Sequence, residues 1–326
     1  MSNANPLAPI GWDDDISRRW ADAEPDTSWV PARVVQTDRG EATVWTAPDE
    51  ELRVRMTKAA RAVVAGDWVA VCPASARVEA VLPRRCAFVR RAARGARAGQ
   101  VLAANMDVVA VLQSAADGGV NPRRLERELV LAHQSGARPL VVITKLDLCD
   151  SSDRQQALAC AESVSPGVRV IGWSAVTGEG SVDLEEEMQP GTTLALLGAS
   201  GVGKSTLVNR VAGDDLQLTA ATRKGDGKGR HTTTAARLLS LGPGRLLIDT
   251  PGIRALGLWE GEEGLALAFP EVVEAGEHCR FDDCAHQGEP DCAVQQAADD
   301  GALDPERLES WRRLRAELDD SGQPAT

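Results

Sequence analysis

The sequence predicts an α/β protein: a mostly parallel sheet with helices on both faces, preceded by a small β-barrel and followed by a helical segment bearing a Cys/His cluster. Three observations predict it. Short β-branched stretches broken by turn signals crowd residues 30–88. Apolar runs of strand length then alternate with helical stretches as far as residue 250. Beyond about Trp259 the chain turns acidic and helical, and three cysteines and one histidine fall within 14 residues.

Residues 1–29 are polar, acidic and without periodicity, which reads as a loosely ordered tail. Residues 30–98 come next as the barrel, with ARVVQT, ATVWTA, LRVRMT and GDWVAV as its strands. A five-stranded OB-type barrel fits this length, although strand count alone does not separate it from an SH3-like barrel. Arg84 to Arg97 contains six arginines and no acid, a solvated linker or an RNA-facing hinge. Residues 99–268 carry the strands MDVVAVL (106–112), PLVVITK (139–145), VRVIGWS (168–174), TLALLGA (193–199) and RLLIDT (245–250). Four of these five run directly into a polar motif, and open α/β sheets bind ligands at the carboxyl ends of their strands. Residues 269–326 form the last unit, ending in the Pro-initiated helix PERLESWRRLRAEL.

At 326 residues, 43% hydrophobic and 26% charged, the composition is that of a globular protein with two or three cores. No apolar run approaches the roughly 20 residues of a membrane span, and the N-terminus lacks a basic start with an apolar stretch. Cytoplasm is the default, and the seven cysteines agree: Cys72, Cys86, Cys149 and Cys160 are scattered, not paired into a secreted framework. The net charge of −12 excludes indiscriminate coating of nucleic acid. It is unevenly spread, however. Residues 31–97 hold 13 Lys/Arg against 7 Asp/Glu, whereas residue 257 to the end holds 5 against 18. A basic region can still dock on phosphate.

Gly198-Ala199-Ser200-Gly201-Val202-Gly203-Lys204-Ser205, followed by Thr206, matches GxxxxGK[ST] between an apolar strand and a helix. Its glycines let backbone N–H groups surround phosphates, with the helix N-terminus aimed at the same charge. Lys204 would reach the β- and γ-phosphates and Ser205 would ligate Mg²⁺. Thr144-Lys145-Leu146-Asp147 chooses the base: a carboxylate at the last position accepts guanine N1–H and the exocyclic amine, which adenine cannot satisfy. Ser174-Ala175 stands where a backbone N–H would approach guanine O6. Asp249-Thr-Pro-Gly252 matches DxxG, with Asp249 on Mg²⁺ through water and the Gly252 N–H on the γ-phosphate. Within GKGRHTTT (227–234), Thr233, or failing that Thr232, would complete the Mg²⁺ shell, making a segment ordered by the γ-phosphate. GTP and GDP with Mg²⁺ are thus the expected ligands. The motif order is permuted, since the guanine motifs precede the P-loop; circular permutation moves termini without altering a site. Cys279, Cys284, His286 and Cys292 are four soft ligands suited to one structural tetrahedral Zn²⁺.

Together these residues resemble the ribosome-small-subunit-dependent GTPase A family. The likeness spans residues 30–295 and includes GDWV (66–69), VLPRRCAFVRR (81–91), TKLD, GASGVGKST, GRHTTT (229–234), DTPGIR (249–254) and FDDCAHQGEPDCAV (281–294). The resemblance implies an OB-fold, a circularly permuted P-loop GTPase domain and a small zinc-containing C-terminal domain. It also implies a slow GTPase stimulated by the small ribosomal subunit, binding rRNA late in that subunit's maturation. Ile253 stands where Ras-like proteins carry a water-positioning Gln, so hydrolysis needs another group, and His231 is the candidate. The rRNA contacts would fall on the barrel, the arginine run and Arg223, Lys224, Lys228 and Arg230. Nothing demands more than a monomer. The competing readings are an RNA-binding scaffold that nucleotide merely orders, a permuted GTPase of the large subunit, and an ATPase or small-molecule kinase.

Overall fold

The structure, a computed structural model, describes residues 5–57, 60, 62–90, 99–212, 236–242, 244–250, 257–258 and 261–322. The N-terminal stretch corrects the expectation of a loose tail. Residues 8–10 make a 3₁₀ turn, and Asp13 caps α1 (Asp14–Asp22), its carboxylate accepting the Ile16 N–H at 2.9 Å. Leu7, Ile10, Trp12 and Ile16 are buried. Trp12 meets the Trp68 ring edge-on, centroids 4.9 Å apart. These apolar residues are too sparse for a periodic signal because they complete a core that belongs to other elements.

Five strands close the barrel: β1 (Val30–Asp38), β2 (Glu41–Ala47), β3 (Glu50–Met56), β4 (Trp68–Cys72) and β5 (Arg77–Val81). The order β1-β2-β3-β5-β4, closed by β1 against β4 and with β3 parallel to β5, is that of an OB-type barrel. Alternate residues such as Ala32 and Val34, Ala42 and Val44, and Val69 and Val71 fill it.

Three arginines, Arg33 buried and Arg84 and Arg85 half-buried, fasten the barrel region in the fold. Arg33 is fully buried and donates to the carbonyls of Ile10 at 2.6 Å and Asn105 at 2.9 Å. Burial lowers its pKa to about 10, so it stays cationic at neutral pH. Arg84 grips the fully buried Asp67 carboxylate with two bonds of 2.7 Å. Arg85 bridges Asp13 at 2.6 Å and Asp107 at 3.1 Å. Gly66, at φ +90°, is needed here because a Cβ would lie 2.0 Å from the Ala104 carbonyl oxygen. Arg84 and Arg85, half-buried, are therefore ion-paired within the fold and are not simply part of a solvated linker. The chain continues as a hairpin, β6 (Ala87–Arg90) with β7 (Gln100–Ala104); Arg91, Arg94 and Arg97 lie outside the described residues.

The main sheet comprises β8 (Val108–Ser114), β9 (Arg138–Thr144), β10 (Val170–Gly172), β11 (Thr193–Gly198), β12 (Arg237–Ser240) and β13 (Leu246–Asp249). Its order is β10-β9-β8-β11-β13-β12, parallel except where the edge strand β12 runs against β13. Alternation along β8 sorts the layers. Val109 and Val111 pack with α2 (Pro122–Gln134) and α3 (Ser151–Ser163), whereas Val108, Ala110 and Leu112 pack with α4 (Ser181–Glu187) and α5 (Lys204–Ala212).

The C-terminal helices α6 (Glu262–Ala268), α7 (Pro270–Gly276), α8 (Ala293–Asp299) and α9 (Pro305–Gly322) join the α2 side of this core. Arg307 locks them in place. Its guanidinium lies 4.0 Å from the Phe269 ring centroid and bonds Glu271 at 2.7 Å, Glu126 of α2 at 3.1 Å and the Ala268 carbonyl at 2.9 Å. Replacing Trp12 with Ala should cost about 3–5 kcal/mol, the usual range for a buried aromatic, measured as a loss of stability in urea. A loose tail would show no loss.

Candidate functional site

The carboxyl ends of β9, β8, β11 and β13 share one edge of the sheet, and the motifs collect there. Thr144 ends β9 fully buried. Its hydroxyl is 2.6 Å from the carbonyl of Val202 in the P-loop and 3.1 Å from that of Gln113 on β8. One hydroxyl thus ties the guanine motif to the phosphate loop across the intervening strand. Lys145 follows at φ +61°, and its ammonium pairs with Asp117 at 2.8 Å. Leu146 is buried. Asp147 accepts the Ser174 hydroxyl at 2.6 Å, which joins the TKLD loop to the Ser174-Ala175 loop beyond β10. Ser174 Oγ also receives the N–H groups of Val176 and Thr177, each at 3.2 Å.

The P-loop leaves β11 at Gly198, whose φ is +136° and where a Cβ would crowd the Leu112 carbonyl oxygen at 2.7 Å. Ala199, Ser200, Gly201, Val202 and Gly203 complete the turn into α5. Lys204 curls back so that its ammonium contacts the carbonyls of Gly198 at 2.7 Å and Ala199 at 2.5 Å. Ser205 and Thr206 are exposed in the first turn of α5, and Asp249 is exposed at the end of β13, the strand hydrogen-bonded beside β11. Gly252, His231, Thr232, Thr233, Ile253 and the basic residues 223–230 lie outside the described residues.

Several contributors were missed in the sequence. Gln113, at the end of β8, donates to Glu128 of α2 at 2.8 Å. Burial raises the Glu128 carboxyl to about 7, opposed by the Gln113 bond and then by Arg124, Lys204 and Arg127. A cleft of about 590 Å³ beside the P-loop is lined by Asp117, Arg123, Arg124, Ser200 and, from α9, Glu306 and Ser310. The signal for this edge was the Asp117-Gly118-Gly119 turn directly after an apolar strand.

The second cluster lies among the C-terminal helices. The ligand atoms of Cys279, Cys284, His286 and Cys292 all lie within 4.8 Å of one another. His286 Nδ1 is 3.6 Å from Cys279 Sγ and 3.5 Å from Cys292 Sγ, and those two sulfurs are 3.9 Å apart. With metal bonds of about 2.3 Å to sulfur and 2.1 Å to nitrogen, tetrahedral edges come to about 3.8 and 3.6 Å, so the donor set fits a metal ion. The supports are local. Cys292 caps α8, accepting the Gln295 N–H at 3.4 Å. Glu289 accepts the N–H groups of Ala285 at 2.9 Å and Gln287 at 2.7 Å. Arg312 holds the His286 carbonyl with Nε at 2.6 Å and with Nη2.

A P-loop strand flanked by the DxxG strand on one side, with the TKLD strand one further on the other, marks a GTP-binding protein, and TKLD preceding the P-loop in the chain marks it as circularly permuted. The RsgA GTPase family profile matches residues 81–259. The Small ribosomal subunit biogenesis GTPase RsgA of Streptomyces coelicolor is 46% identical over 97% of this chain and 87% of that protein. Its namesake from Streptomyces avermitilis is 44% identical over 97% and 86%. YjeQ from Thermotoga maritima superposes with a TM-score of 0.68 at 27% identity, covering 90% of this chain and 99% of that one. YloQ, a circularly permuted GTPase, shares the fold at a TM-score of 0.66 and 24% identity, over 92% and 98%. The chain belongs to the RsgA GTPase family and is a GTPase.

Two outcomes are expected from this geometry. Thr144→Val keeps the shape and removes the hydroxyl, and should weaken GDP binding about tenfold by calorimetry, the value of one buried hydrogen bond. The second concerns pH. A carboxyl whose folded pKa is raised destabilises the fold as pH climbs from the ordinary carboxylate range to about 7. Glu128→Gln should therefore be more stable than the parent at pH 8 and match it near pH 4, by urea denaturation.

Proposed function

We propose that this GTPase acts late in the maturation of the small ribosomal subunit, binding rRNA and hydrolysing GTP faster on the subunit. The observation that carries the reading is the Thr144–Val202 bond, which sets TKLD beside the P-loop in a chain aligned nearly end to end with biogenesis GTPases. Asp147 recognises guanine, with Thr144, Lys145, Leu146, Ser174 and Ala175 shaping its pocket. Residues 198–206 and Gly252 hold the phosphates. Ser205, Thr233 and, through water, Asp249 are the residues for Mg²⁺, which supplies charge neutralisation at the phosphates. His231 takes the role that Ile253 cannot fill. The Cys279, Cys284, His286 and Cys292 set holds a structural Zn²⁺, since four soft donors leave no position open for substrate. The units are residues 30–98, 99–268 and 269–326. Residues 5–29 are assigned to the docked core, on the burial of Leu7, Ile10, Trp12 and Ile16.

The rRNA contacts belong to the barrel, to the arginine run beyond Arg85, and to Arg223, Lys224, Lys228 and Arg230, since Arg84 and Arg85 already hold ion pairs within the fold. Among the described residues no helix is long and apolar enough to cross a membrane. A cytoplasmic monomer is the form in which the protein would meet the subunit.

Phosphate release measured with purified small and large subunits tests the reading. Stimulation by the small subunit alone is expected; equal rates with and without it would leave only a nucleotide-ordered scaffold. His231→Ala should abolish the stimulated rate and spare GTP binding. Asp147→Asn should exchange guanosine for xanthosine diphosphate, because an amide can donate to the xanthine oxygen that replaces the guanine amine. Metal analysis should find about one zinc per chain, and Cys284→Ser should lower that content and loosen the α8–α9 region in hydrogen exchange.

A further inference from the structure

Thr144 ties the guanine motif to the phosphate loop, and the residue after it carries a second tie. Lys145 is left-handed, at φ +61°, and its carbonyl accepts the Leu148 N–H at 3.1 Å, so its main chain is fixed. Its side chain is half-buried and long, and ordering such a chain on a ligand costs conformational entropy. Among the described residues its ion-pair partner is Asp117, whose Oδ2 lies 2.8 Å from the ammonium.

The loop bearing Asp117 is shaped to aim it. It starts where β8 ends, and there the Ala115 N–H donates to the Thr144 carbonyl at 3.0 Å, the residue just before Lys145. It ends at Asn121, whose side chain caps α2 by accepting the Arg124 N–H at 3.0 Å. Between these anchors Asp117, Gly118 and Gly119 are all left-handed, with φ of +58°, +94° and +79°. Aspartate tolerates that region better than most residues with a side chain. A Cβ on either glycine would meet nothing within 4 Å, so both answer a demand of the backbone and not of packing. The turn brings Asp117 to the cleft that Lys145 shares with Ser200 and Gly201 of the P-loop. Arg123 and Arg124 line this cleft too, but Arg123 pairs with Glu309 at 3.6 Å, and among the described residues neither pairs with Asp117. Asp117 is 73% exposed, and exposed ion pairs add little to folding stability.

We propose that Asp117 is a positioning residue for the nucleotide: by holding the Lys145 ammonium, it keeps the lysine stem laid along the nucleoside between Asp147 and the P-loop. A lysine can cover a ring with its methylenes while its charged head stays with a carboxylate. A side chain placed before the ligand arrives costs less to order on binding. The gain is the same for GDP, GTP and the transition state, because the pair acts at the nucleoside and not at the γ-phosphate. Such uniform binding lowers KM and leaves the chemical step alone. This role rests on the assignment of TKLD to guanine proposed above.

The test follows N-methylanthraniloyl-GDP by stopped-flow fluorescence on the full zinc-loaded chain. Asp117→Asn keeps the shape and removes the charge. It should speed dissociation about fivefold, the upper worth of an exposed ion pair. KM for GTP should rise by about the same factor, with the association rate, the single-turnover hydrolysis rate and the urea midpoint unchanged. Asp117→Glu should restore most of the grip. In a Lys145→Met chain, Asp117→Asn should change nothing further, because a positioning residue acts through what it positions. The difference between parent and variant should shrink as salt rises. An unchanged dissociation rate, a full effect in the Lys145→Met chain, or a slower single-turnover rate overturns the proposal. A urea midpoint that falls in step with affinity makes the role structural and overturns it as well. A parent that binds GDP while every Asp117 variant matches it removes Asp117 alone; a parent that binds no guanine nucleotide removes the TKLD assignment with it.

Discussion

The site depends on a bond between two segments 58 residues apart: the Thr144 hydroxyl against the Val202 carbonyl. A P-loop supplies donors for phosphate but says nothing about the base, and TKLD supplies a carboxylate but says nothing about phosphate. Reading both parts of one nucleotide would require a fixed separation between them. The parallel β9-β8-β11 arrangement brings the two loops to one edge, and Thr144, anchored to β8 as well, sets their spacing at atomic scale. A hydroxyl does here what a longer side chain could do elsewhere. The reversed motif order is harmless for that reason, because strand neighbours and not chain order determine which loops meet.

The parts of the fold that were legible in the sequence share a physical trait. Strands β8, β9 and β11 are buried on both faces and so read as continuous apolar runs. The P-loop and the Cys/His set were legible because their chemistry tolerates few substitutes at fixed spacing. The misreadings have equally physical origins. Leu7, Ile10, Trp12 and Ile16 serve a distant core, so no local period reveals them. Arg84 and Arg85 look like solvent residues until their partners Asp67, Asp13 and Asp107 are brought up by tertiary contacts. Glu128 could not be singled out, since its pKa is raised by burial, against the opposing Gln113 bond, and not by any motif.

Electrostatics divides the molecule. The basic excess of residues 31–97 and the acidic excess after residue 257 are kept on different units of one chain. Within the structure, opposite charges meet where units join: Arg127 of α2 contacts Glu317 of α9 at 2.7 Å, and Arg307 reaches Glu126. Such pairs gain little at the surface, but the Arg307 set is buried and removing one partner would strand a charge. The acidic unit is thereby held in fixed register with the helix that borders the P-loop.

Asp107 has a mechanical consequence. One of its carboxylate oxygens accepts from Arg85, at the exit of the barrel, and the other accepts the Thr193 N–H at 2.7 Å, where the P-loop strand begins. The carboxylate is thus a rivet between two bodies. A displacement of the segment that leaves the barrel is thereby passed by a single carboxylate to the root of β11, the strand that ends at the phosphate loop.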